Sequence, residues 1–177
     1  MILDTQKEES ILMKNIVSLI KESNDVFNTA VISMGSVSKI FMDHTGRCDD
    51  SLIHSMSQMI DAGLRGIKEN DADAGLLTKG LTMGLFRAGE KTDLPVKQAI
   101  LPLTQTVIKT QMEIHGDVAS AVKGIIDGVR IAFRDTYVSK EKLVYEIIML
   151  SKSYAKTVKS STFDQMKSAL CGDFSHN

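Results

Sequence analysis

The 177-residue chain predicts an all-α protein. Three observations carry that expectation. Apolar residues recur at steps of three and four along almost the whole chain, the mark of helices with one buried face. No stretch of useful length alternates apolar and polar residues with the two-residue period of a strand. Residues suited to helix N-caps stand before nearly every apolar stripe.

In chain order, a first hairpin is placed at about 4–46, its second helix following Asp25 and carrying Phe27, Ala30, Met34, Val37 and Phe41. Asp49 or Asp50 opens the next helix, with Ile53, Met56, Ile60, Gly63 and Ile67 on one face. After a polar loop from Glu69 to Ala72, Asp73 caps a helix bearing Gly80, Gly84 and Ala88. Asp93 and Pro95 suit another first turn, since proline lacks the N–H that a first turn leaves unused. The stripe Val96, Ile100, Leu103 and Val107 follows. Pro102 lies inside this stripe, so it either kinks the helix near Gln98 or marks its true start. Asp117 caps the helix of Val118, Val122, Ile125 and Val129, and Ser139 that of Leu143, Ile147, Leu150, Tyr154 and Val158. Ser161 opens a last helix, making about eight in all. Loops of ordinary length join them as hairpins.

The cap positions predict an internal repeat. Asp49 to Asp93, Asp73 to Asp117 and Asp117 to Ser161 are each 44 residues apart. Overlaying 73–88 on 117–132 gives five identities: Asp73/Asp117, Lys79/Lys123, Gly80/Gly124, Gly84/Gly128 and Ala88/Ala132. Average composition would give roughly one. The reading is a single domain over 1–177, built of hairpins at about 4–46, 47–91, 92–136 and 137–177. They form a compact helical bundle or a short α-solenoid.

Glycine inside helices is the feature that structure must explain. Each such glycine costs about 0.5–1 kcal/mol relative to alanine, so a sequence carrying several in register gains something from them. Gly80, Gly84, Ala88, Gly124, Gly128 and Ala132 therefore form a candidate close-packing or interface face. It serves packing between hairpins, contact with a second copy or a partner helix, or the approach of a ligand or lipid surface.

Composition narrows function. Twenty-one basic against 22 acidic residues removes the usual electrostatic case for nucleic acid. The charge is uneven along the chain, with an acidic excess before residue 94 and a mild basic excess from Lys140 to Lys167, read as a solvated face. Without tryptophan there is no stacking platform for bases. Two cysteines build no disulfide scaffold. The longest uncharged run, Val26 to Ser38, is too short and too polar to span a bilayer. With neither leader nor lipidation signal, the expected setting is cytoplasmic.

Catalytic motifs fail on context. Gly75 and Gly80 have Walker A spacing without the lysine after the second glycine, and they fall on a helix with no strand before it. Ser36-x-x-Lys39 and Ser153-x-x-Lys156 lack the accompanying elements of acyl-transfer enzymes. One local group of metal-ligand types exists, His44, Cys48, Asp50 and His54, but its spacing matches zinc poorly. Ten methionines are dispersed, which favours core filling over a binding groove.

The expectation is a non-enzymatic interaction or scaffold protein with no cofactor or metal. It self-associates or binds a protein partner through the small-residue face. The alternative is a bundle holding an apolar molecule or lipid between its helices, which requires an elongated cavity beside Gly80, Gly84, Gly124 and Gly128.

Overall fold

A computed structural model describes residues 14–45, 50–90, 96–132 and 137–157. Among the described residues all regular structure is α-helical. The helices are α1 over 14–22, α2 Val26–Thr45, α3 Asp50–Glu69, α4 Ala74–Gly89, α5 Val96–Glu113, α6 Val118–Ala132 and α7 Tyr137–Thr157. These seven stand near the expected eight; the helix expected after Ser161 lies outside the described residues.

Helix starts follow from caps. Asp25, Asp73 and Asp117 each accept a first-turn amide, from Asn28 at 3.1 Å, Gly75 at 2.7 Å and Ser120 at 2.8 Å. Each bond satisfies an amide the helix itself leaves unpaired. The Asn28 amide N–H, then its side-chain amide, hold the Asp25 carboxyl below its ordinary range. Asp50 is the first residue of α3, while Asp49, Asp93, Pro95 and Ser161 lie outside the described residues. Ser139 is not a cap, because α7 has already begun at Tyr137. Pro102 does not start α5, which begins six residues earlier at Val96 and runs through it. The Thr104 and Thr106 hydroxyls donate to the carbonyls of Ile100 and Pro102 in this stretch, at 2.7 and 3.3 Å.

Two turns share one chemistry. After α3, the Ala72 amide donates to the Ile67 carbonyl and the Asp71 amide to that of Lys68. After α5, Gly116 donates to Gln111 and His115 to Met112. This bond pair ends a helix when one residue takes the left-handed conformation. Asp71, with φ 53°, and His115, with φ 51°, are those residues.

Helices pack mainly with the next but one. The α2–α4 and α4–α6 contacts dominate, with α3–α5 and α5–α7 forming a second row. Residue pairs ascend together: Gly80 lies against Ala30 and Gly84 against Met34, while Gly124 lies against Gly75 and Gly128 against Thr82. The even-numbered helices are therefore parallel neighbours. In the odd row the Thr110 hydroxyl donates to Asp61 at 2.7 Å, and Arg65 pairs with Asp61 and Glu113. Lys21 of α1 pairs with Glu69 of α3 in the same manner.

The core lies between the two rows, where Ile20, Met34, Met56, Leu64, Leu77 and Ile108 are fully buried. Burying each such side chain is worth about 1.5–3 kcal/mol. The buried cluster is continuous from Ile16 to Ile148. Three of its hydroxyls are satisfied locally: Ser38, Thr82 and Ser151 each donate to the carbonyl four residues back, at 2.8 Å.

Candidate functional site

The in-register glycines sit where the even helices meet. A β-carbon at Gly80 would stand 2.8 Å from the Ala30 β-carbon and 3.2 Å from the Phe27 carbonyl carbon, with the Phe27 oxygen nearer still. At Gly84 it would stand 2.9 Å from the Met34 β-carbon and close upon the Val31 carbonyl oxygen. These two positions make the α2–α4 seam. Gly124 and Gly128 make the α4–α6 seam, against Gly75 and Thr78 in one case and Lys79 and Thr82 in the other. Helix backbones that close leave no room for any side chain at the four positions.

Thr78 completes the second seam. Its hydroxyl faces the Ala74 and Gly75 carbonyls of its own helix, and it also reaches the Ala121 carbonyl of α6 at 2.7 Å. At the head of that seam, a β-carbon on Gly75 would meet the Ser120 hydroxyl at 2.6 Å and its carbonyl oxygen at 2.9 Å. In the sequence Gly75 stands out only through its Walker A spacing to Gly80, and Thr78 belongs to no motif. Their signal was the tolerance of small residues opposite glycine. Ala88 is buried and Ala132 half-buried at the far ends of α4 and α6.

Gly63 and Gly66 of α3 are different. Added β-carbons there would find ordinary contacts, 3.7 Å from Ile20 and Leu77 and 3.6 Å from Lys21.

Both seams are therefore filled by helices of the same chain. Behind them, among Met34, Thr78, Leu81, Leu85 and Ile125, lies a void of about 10 Å³. That is room for one water, far short of the several hundred cubic ångströms that a drug-sized apolar ligand takes. Met34, Met56 and Met59 fill the core, Met83 and Met112 are half-buried, and Met149 is exposed.

On α4, wedged between α2 and α6, one stripe faces outward: Leu76, Lys79, Met83 and Arg87. The Lys79 ammonium lies 5.8 Å from the centre of the Phe27 ring, a cation–π contact that anchors it toward α2. Beside the stripe stand Ile32 and Lys39 on α2, with Lys123, Asp127 and Ile131 on α6. Ile32 is 67% exposed, the most among the large apolar side chains described.

Of the metal-ligand types noted in sequence, His54 is exposed and lies 3.0 Å from the Gln58 amide nitrogen. Cys48 and the side chains of His44 and Asp50 lie outside the described residues. Among the described residues no three His, Cys, Asp or Glu side chains gather as a metal site. Nor is any described helix long and apolar enough to cross a membrane. Neither a family model nor a curated protein sequence matches this chain.

Proposed function

We propose that the chain is a non-enzymatic helical interaction or scaffold protein of the cytoplasm, a single domain of four tandem αα-hairpins. The recurrence of hairpin chemistry supports the repeat. The turn bonds at Ile67, Lys68, Asp71 and Ala72 return 44 positions later at Gln111, Met112, His115 and Gly116. The Lys21–Glu69 pair returns 44 positions later as Arg65–Glu113. The caps Asp25, Asp73 and Asp117 are separated by 48 and then 44 residues. The first step is longer because α1 stops at residue 22, three residues before the point that matches the end of α3, and its connection 23–25 is one residue shorter than 70–73.

The glycine face is occupied from within, so a partner must use another surface. The observation that carries this reading is the outward stripe of the even row. Leu76 and Met83 alternate with Lys79 and Arg87 along α4, flanked by Lys39, Lys123, Ile32 and Ile131. Apolar anchors among cations fit a helix with apolar and acidic residues on one face, from another protein or a second copy.

Native mass spectrometry of protein purified gently from its source cells tests the proposal. A stoichiometric protein complex is expected, lost on Leu76→Glu with Arg87→Glu. Both sites are exposed, so the pair leaves the fold intact. A bare monomer overturns the proposal, as does a complex indifferent to the two substitutions.

A further inference from the structure

Between the two like turns, the ends of α3 and α5 and the starts of α4 and α6 line a pocket of about 260 Å³ that is open to solvent. Its apolar side is the half-buried Ile114 with the edge of Ile67, and the fully buried Leu64 borders it. Asp71, Asp73 and Asp117 give it three carboxylates against the single cation of Lys68. Two of these carboxylates are only partly engaged. Asp73 Oδ1 takes the Gly75 amide and the Ser120 hydroxyl, and Asp117 Oδ1 takes the Ser120 amide.

Gln111 makes this pocket more than a cluster of acids. It is 2% exposed, and its backbone carbonyl is taken by Gly116. Its side-chain amide has no hydrogen-bond partner among the described residues. Every side-chain polar atom fully sealed from solvent among those residues does have a partner, so the Gln111 amide must open onto the pocket it lines. Gly116 fixes its position, because any β-carbon there would run into Gln111 Oε1. With no partner in the protein, this amide is left to pair with whatever occupies the pocket, water or ligand.

We infer that this pocket binds a small organic ammonium ion on a short apolar stem. The Gln111 carbonyl oxygen accepts an N–H, the Asp71, Asp73 and Asp117 carboxylates balance the charge, and Ile114 with the edge of Ile67 covers the stem. This site is independent of the outward stripe of α4.

Titration of ¹⁵N-labelled protein with n-butylammonium, with 1-butanol as the neutral control, tests the inference. Expected is saturable movement of the Gln111 side-chain and the Gly116 and Ser120 backbone resonances below about 10 mM butylammonium, with no such movement from butanol. Gln111→Leu weakens binding about tenfold. So does Asp71→Asn with Asp117→Asn, a surface pair that keeps the turn and the cap while removing charge. Absent saturation, equal response to butanol, or wild-type affinity in the Asn pair overturns the inference.

Discussion

Alanine substitution at the helical glycines has a sign that depends on where each one sits. In an exposed or loosely packed helix, Gly→Ala stabilises by about 0.5–1 kcal/mol, because alanine restricts the unfolded chain and favours the helix. Gly63 is such a case, since its added β-carbon finds Ile20 and Leu77 at a comfortable 3.7 Å. Gly124 is the opposite case. There the new β-carbon would stand 2.9 Å from the Gly75 carbonyl carbon and overlap both the Gly75 oxygen and the Thr78 hydroxyl. Backbone cannot swing away, and the Thr78 hydroxyl is held by its 2.7 Å bond to Ala121. Overpacking costs about 1–3 kcal/mol and a weakened buried hydrogen bond about 1, against about 1 gained in helix propensity. Gly124→Ala is therefore destabilising by about 2 kcal/mol, a fall in Tm of about 4–8 °C for a chain of this size. Gly63→Ala raises Tm by about 1–4 °C. Thermal unfolding followed by circular dichroism at 222 nm, with urea titration as a check, reads both. Should Gly124→Ala match or exceed the wild type, the close approach of α4 and α6 is wrong.

Three more outcomes follow from local chemistry. Asp73→Ala and Asp117→Ala each lower stability by about 0.5–2 kcal/mol in urea titrations, whereas Asn at either position retains most of the cap. His115→Gly raises stability by up to about 1 kcal/mol, because φ 51° costs a β-carbon-bearing residue and costs glycine nothing; an unchanged urea midpoint would count against the left-handed turn. Burial raises the Asp61 carboxyl, but hydrogen bonds from Arg65 and Thr110, with the charges of Arg65 and Lys109, outweigh it and hold it below its ordinary 3.8. A carboxyl lowered on folding stabilises above its unfolded pKa, and that stability is lost as pH falls through the folded value. Thr110→Val with Arg65→Gln therefore reduces the fall in urea midpoint between about pH 6 and about pH 3.

Helix existence was legible because amphipathic period and capping are local. Asp25, Asp73 and Asp117 cap as their positions in sequence imply, and the stripes of Phe27 to Val37 and Val118 to Val129 lie on helices. Neighbour choice was not legible. Period 3.6 tells which face is buried but not against what, and hairpin connections draw attention to consecutive helices rather than to α2 with α4 or α4 with α6. The glycines carried that information all along. Small residues at Gly80 and Gly84 need a facing backbone, and only the fold says that it belongs to Phe27 and Val31.

Helices α1 and α2 do not match α3 and α4 at a single offset. Helix α1 ends three residues early and the connection 23–25 is one residue shorter than 70–73, so Lys21 matches Arg65 at an offset of 44 and Asp25 matches Asp73 at 48. Gln111 was also invisible, since a glutamine late in an amphipathic helix reads as surface. Its burial comes from the turn folding back over it, and the one sequence trace is Gly116, where a β-carbon would run into Gln111 Oε1.

The central claim is that the glycine face joins the even helices to one another, and a nuclear Overhauser measurement tests it most directly. Strong cross-peaks are expected from Gly80 Hα to the Ala30 methyl and from Gly128 Hα to the Thr82 methyl, unchanged on dilution. Cross-peaks that vanish on dilution, or that arise only between differently labelled copies, would place the glycine face between molecules and contradict the account.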